Sequence, residues 1–222
     1  MNTTQVAETV TLADILAEVR RLAGRHQVFL ALVGSAIAIG YSVMDLMGAT
    51  TSNTFAGITV TVFVQFAVME RLLGDRLHPD RGEKRRYWSL FGSGVLSGLG
   101  IMLGLLMLVL PGVYLAGRWI SSSAYVVAEG KSAFEALGSS WEQSEPSQFA
   151  HVAAAVLSIL PTLGFLILMV AEAYGILGLD EAVLIIVSNV LVATGTLLVW
   201  LFGAATYCAT HRGRNELRHV FA

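Results

Sequence analysis

The sequence predicts an all-α, polytopic membrane protein with six transmembrane helices and two interfacial amphipathic helices. Three observations lead there. Hydrophobic residues make up 55% of the 222 and charged residues only 14%, with a mean hydropathy of +0.67, far from the averages of soluble domains. The apolar residues gather into runs of roughly 20, the length that crosses a hydrocarbon core of about 30 Å. Thirteen of the fourteen Lys and Arg residues fall outside those runs, in segments that alternate passage would return to one side. Charge is expensive inside a bilayer and basic loops stay in the cytoplasm, so both termini are expected to be cytoplasmic.

The chain reads as a single domain over 1–222, with a cytoplasmic amphipathic segment at 1–26, a six-span bundle at 27–209 and a basic cytoplasmic tail at 210–222. The first segment lacks the basic start, apolar centre and small-residue cleavage site of an export signal. In it Leu12, Ile15, Leu16, Val19, Leu22 and Ala23 recur at helical spacing, with Glu18, Arg20, Arg21 and Arg25 elsewhere around the turn. Periodicity leaves its apolar partner open: the membrane interface, or the protein's own cytoplasmic face. The first span, 27–48, carries Asp45; the second is 54–73, ending at Glu70 and Arg71, and Arg71 counts with the loop that follows. The loop GDRLHPDRGEKRR that follows is the strongest cytoplasmic marker. A glycine-rich third run, 88–110, meets Pro111-Gly112, which suits an outer hairpin or a kink in one long helix. The fourth span is 113–128. Residues 129–148 then leave the membrane, with Phe134, Leu137 and Trp141 at helical spacing in a second amphipathic helix that Pro146 ends. A fifth span, 149–170, is kinked at Pro161, and a sixth covers 182–209.

Composition also narrows the chemistry. A net charge of −2 argues against nucleic-acid binding, and membrane lipids are the expected partners. Cys208 is the only cysteine, which excludes an intramolecular disulfide or a multi-thiolate metal site. His26, His78, His151, His211 and His219 lack ligand spacing, Ser121, Ser122 and Ser123 lack a neighbouring base in sequence, and no glycine-rich phosphate loop follows a strand. No catalytic, cofactor or metal site is expected. Arg118 is the one base inside an apolar run. If the turn lies at Pro111-Gly112, it sits roughly 9 Å below the outer interface at helical rise; it either snorkels outward or takes Asp45 or Glu172 as partner, in a clamp that holds the bundle together rather than a substrate contact. Glu129 reads as a helix-terminal carboxylate, hydrogen-bonded to the second amphipathic helix or to Trp141. Gln65 and Asn189 suit interhelical hydrogen bonds. Gly94 and Gly98, then Gly100 and Gly104, have GxxxG spacing, which admits close helix approach within the chain or in a homo-oligomer.

Residues 111–143 read PGVYLAGRWISSSAYVVAEGKSAFEALGSSWEQ. The block resembles the P-G-x-x-L-x-x-R-W, E-G, A-L-x-x-S-W pattern of YciC-type bacterial membrane proteins and of the related membrane domain of glycerophosphoryl diester phosphodiesterases. The matching positions are Pro111, Gly112, Leu115, Arg118, Trp119, Glu129, Gly130, Ala136, Leu137, Ser140 and Trp141. The resemblance implies a six-span fold in a bacterial inner membrane, often without an assigned role. The 222 residues leave no room for the soluble phosphodiesterase domain of some relatives, and EQSEPSQF stands where relatives commonly carry bases. The expectation is therefore a non-catalytic protein of envelope maintenance or membrane scaffolding. The alternative is a small transporter or lipid- or anion-handling protein using Arg118, which would need a continuous cavity lined by Arg118, Asp45, Gln65 and Asn189.

Overall fold

The computed structural model describes residues 9–48, 51–78 and 87–220, excluding the side chains of 51–56, 58, 75 and 213–220. The basic stretch 79–86 and the side chains of the tail bases Arg214 and Arg218 therefore lie outside the described residues.

The described residues fold into nine α-helices and no strand: α1 (Leu12–Leu46), α2 (Thr51–Leu73), α3 (Tyr87–Met107), α4 (Val109–Trp119), α5 (Ser122–Glu129), α6 (Ala133–Ser144), α7 (Gln148–Ser158), α8 (Leu160–Ala173) and α9 (Glu181–Val220). Thr11 starts α1 with a capping box: its hydroxyl accepts from the Asp14 N–H while the Asp14 carboxylate accepts from the Thr11 N–H. The amphipathic segment and the first span are one helix, kinked at His26 (φ −122°, ψ 19°). Ile15, Glu18 and Leu22 are buried, so the amphipathic part packs on its own protein.

Helices α1 and α9 form the most extensive interhelical contact. They run antiparallel: Glu18 meets Arg212 (3.3 Å) at one end, and Asn189 Nδ2 donates to Asp45 Oδ2 (2.8 Å) at the other. The first of these ends collects charge. Arg21, Arg25, Arg71 and Arg76 line one cavity there, and Lys131 and His211 meet at Glu129. Most of the buried core lies towards it, built on Ile15, Leu22, Met69, Leu73, Ala124 to Ala128 and Trp200 to Ala209.

Among the described residues, three helices are long and apolar enough to cross a membrane unaided: Leu12–Leu46, Tyr87–Met107 and the Glu181–Arg212 part of α9. A fourth crossing is available if α6–α7 and α8, bent by 43° beside Pro161, act as one. The six continuous spans expected from the sequence do not form as drawn. The run expected to be span four, 113–128, is broken at Ile120 and Ser121 into helices of 11 and 8 residues, neither of which spans 30 Å at 1.5 Å per residue. Ala124, Tyr125, Val126, Val127 and Ala128 are each at most 2% exposed; α5 is apolar because protein surrounds it.

The turn after α3 also differs from expectation. Leu108, in extended conformation (φ −163°, ψ 141°), makes it, and Pro111 follows in the first turn of α4, where a missing backbone donor has no helical partner to lose. Gly112 serves close approach instead: a Cβ on the facing Gly104 would lie 2.8 Å from the Gly112 Cα. Gly100 likewise faces the Trp119 ring. Two of the four spaced glycines are thus used within the chain, while a Cβ at Gly94 or Gly98 would meet nothing within 4 Å.

Candidate functional site

Arg118 stands at the end of α4, 2% exposed. Its guanidinium lies 4.1 Å from the Trp141 ring centroid and 5.8 Å from that of Tyr114. Neither expected carboxylate reaches it. Asp45 is held by Asn189, and Glu172 accepts from the Leu179 N–H (3.4 Å). Ile120, two residues beyond Arg118, faces Gly203, and Asn189 lies fourteen residues earlier on α9, about 21 Å away at helical rise. The carboxylate clamp is therefore replaced by an aromatic one, and the depth expected from a turn at Pro111 falls with that turn. The cation is desolvated against the negative faces of aromatic rings, while its Nε has no hydrogen-bond partner.

Part of the 111–143 block closes around this contact. Ser140 is fully buried; its hydroxyl donates to the Arg118 carbonyl (2.7 Å), so Ser121 is the donor in the 2.9 Å Ser121–Ser140 contact. Trp119 and Tyr114 pack on Trp141 at 6.3 and 6.0 Å between centroids. Leu115 is half-buried on α4, and Gly130 ends α5 in the left-handed region (φ 65°), which favours glycine. Pro111, Gly112, Arg118, Trp119, Ser140 and Trp141 thus join α3, α4 and α6. Trp141→Leu, which keeps an apolar side chain but removes the π-face, is expected to lower stability by about 2 kcal/mol, read as a fall in the melting temperature of the detergent-solubilised protein.

Glu129 has other partners than those expected. It meets Lys131 (2.8 Å) from the following turn and, from α9, accepts from the Tyr207 hydroxyl (3.0 Å) and faces His211 Nε2 (3.5 Å). His211 Nδ1 lies 2.9 Å from the Tyr207 carbonyl, which only accepts, so Nδ1 carries a proton and Nε2 becomes a donor to Glu129 only in the imidazolium. Tyr207 stacks on His211 (4.2 Å) and meets Tyr125 edge-on (5.0 Å), over which Lys131 also sits. Partial burial pushes the Glu129 carboxyl up, but hydrogen bonds from His211, Lys131 and Tyr207 and the Lys131 charge outweigh it and hold the group at about 2, against an ordinary value of 4.5. Because the folded value is the lower one, the stabilisation is complete above about pH 4.5 and is lost as pH falls towards 2. The shift corresponds to about 3 kcal/mol, reduced to about 2 by the solvent that reaches the group. Glu129→Gln is expected to flatten the melting temperature between pH 5 and 3; an unchanged acid slope would remove this carboxylate from the account.

The third constellation was not singled out from sequence. Arg21 and Arg25 beside the α1 kink, His26, Arg71 at the end of α2 and Arg76 in the following 3-10 turn (Gly74–Arg76) line a cavity of about 600 Å³, with Glu70 the one carboxylate in the wall among the described side chains. Glu18, 1% exposed, holds Arg21 through Nε (2.5 Å) and lies within ion-pair distance of Arg212 (3.3 Å); the Arg212 contact is an ion pair without a hydrogen bond. Sequence placed these arginines on one side of a bilayer, which accounted for them without a site. The i, i+4 spacing of Arg21 and Arg25 was the available signal. Among the described residues, no three His, Cys, Asp or Glu side chains are grouped to hold a metal ion.

Helices of this length and hydropathy, with apolar side chains such as Val28, Leu32, Leu106 and Leu110 left outside, define a helical protein suited to a membrane. Comparison with protein-family models, with curated proteins and with solved structures gave no match.

Proposed function

We propose that this chain is a non-catalytic, multi-pass protein of a bacterial inner membrane, acting in envelope maintenance or as a membrane scaffold, with its arginine-rich end in the cytoplasm. The observation that carries the reading is the packing of Arg118. A transporter built on this residue would hold it in a space that a solute enters; here Trp141 covers the guanidinium at 4.1 Å, and neither described cavity is lined by Arg118, Asp45, Gln65 or Asn189. The orientation is supported by the collection of Arg21, Arg25, Arg71, Arg76, Lys131 and Arg212 at one end, together with the rule that bases stay inside. The family is supported by the resemblance of residues 111–143 to YciC-type proteins, whose matched positions make the α4–α6 junction.

The test pairs a strain lacking the protein with proteoliposomes. The strain is expected to show raised dye entry or detergent sensitivity that the wild-type chain restores, and proteoliposomes are expected to show no protein-dependent anion flux above that of empty vesicles. Saturable anion flux abolished by Arg118→Gln, in a variant that still folds, would sink the reading and establish transport.

A further inference from the structure

We propose that the arginine cleft between α1 and α2 binds the phosphate of an anionic glycerophospholipid, whose acyl chains lie along the apolar surface leading away from it. The inference rests on the membrane reading above and adds a ligand to it.

The chemistry of the cleft selects an anion. Among the described side chains, four guanidinium groups and an imidazole converge from the α1 kink, the end of α2 and the 3-10 turn, against one carboxylate. Guanidinium groups match phosphate oxygens in paired hydrogen bonds and hold their charge at any physiological pH. Glu18 fixes Arg21 from below through Nε, leaving the side chain 41% exposed. Among the described residues, Arg71 and Arg76 have no carboxylate within ion-pair distance. A cavity of about 600 Å³ accommodates a phosphate with its glycerol and headgroup.

The surroundings select a lipid. On α2, Arg71, Ala67, Phe63 and Val60 follow at spacings of four, four and three, one face of a helix; on α1, Arg21 and Arg25 share a face before the kink at His26, and Val28 and Leu32 share one just beyond it. Val28, Leu32, Val60 and Phe63 are each at least half exposed, and the two helices pack against each other. Each stripe therefore begins in arginine and continues as bare hydrocarbon. From Arg71 to Val60 is eleven residues, about 16 Å at helical rise, close to the depth of one leaflet of a core about 30 Å thick. A soluble anion would have no use for the apolar continuation.

The full chain, purified in a neutral detergent, is titrated with short-chain phosphatidylglycerol, with phosphatidylcholine and with inorganic phosphate while its melting temperature is followed. Phosphatidylglycerol is expected to raise the melting temperature, and the other two are expected to leave it unchanged. Arg71→Gln and Arg76→Gln are each expected to shift half-saturation about ten-fold higher, the loss of one charge-assisted contact, with Arg71→Lys intermediate because it keeps the charge and loses the fork. Arg20→Gln removes the same charge from an exposed position outside the cleft and is expected to leave half-saturation unchanged. Equal stabilisation by phosphatidylcholine, equal weakening by Arg20→Gln, or a full shift from inorganic phosphate alone would each overturn the assignment. None of these outcomes depends on anion flux, so this proposal and the functional reading fail separately.

Discussion

Replacing Gly117 with alanine is expected to destabilise the protein by about 3 kcal/mol, among the largest effects of any single methyl group in the chain. Gly117 is buried where α4 packs against α7, at Val152. A Cβ at Gly117 would lie 2.6 Å from the Val152 Cα and 2.8 Å from its nitrogen. Both are backbone atoms, and no rotamer change relieves the overlap; α4 must move away from α7. That movement would drag Arg118, the next residue, off the Trp141 ring, coupling the clash to the cation contact. Gly94→Ala is the control. Nothing lies within 4 Å of its Cβ position, and an alanine inside an exposed helix is expected to be neutral or to stabilise by about 0.5 to 1 kcal/mol. Thermal unfolding of the two variants in the same detergent gives the comparison; a Gly117→Ala protein as stable as Gly94→Ala would mean that the α4–α7 contact is looser than described.

The second large effect is expected at Glu18. Its carboxylate is 1% exposed between Arg21 and Arg212, whose side chains are 41% and 52% exposed. The asymmetry decides what a mutation does. Removing Glu18 leaves two arginines that water can still solvate; removing both arginines leaves a desolvated anion with no cation, at a cost of about 3 to 5 kcal/mol. The Arg21→Ala, Arg212→Ala double variant is therefore expected to be much less stable than Glu18→Gln, and adding Glu18→Gln to the double variant is expected to recover most of the loss. Urea unfolding of the four proteins provides the cycle. Equal stability of Glu18→Gln and the double arginine variant would remove the buried anion from the account.

Several features were legible in the residues. The end of α6 at Pro146, the bend beside Pro161 and the Asn189 side chain as an interhelical donor all follow from local chemistry. Each depends on residues a few positions apart or on one polar group among apolar ones. Of the matched positions in 111–143, Pro111, Gly112, Arg118, Trp119, Ser140 and Trp141 come together, while Glu129 turns to α9, and neither Arg118 nor Glu129 has the partner expected. Sequence placed Arg118 in a bilayer and looked for acids at the same depth. In the fold its α4 helix ends at Trp119, so the nearest chemistry comes from α6, and the acids at Asp45 and Glu172 belong to the opposite end of α1 and α8.

The sequence by itself determined the helical class, the apolar surroundings and the segregation of bases to one end, because these depend on composition and on periodicity along the chain. Tertiary structure alone decided that the run at 113–128 is broken and partly enclosed by protein, that Arg118 faces indole instead of carboxylate, and that arginines 46 or more positions apart on α1 and α2 share one cleft. The physical reason is the same in each case: a side chain buried in lipid and one buried in protein are equally apolar in sequence, and only the packing of helices distant along the chain distinguishes the two.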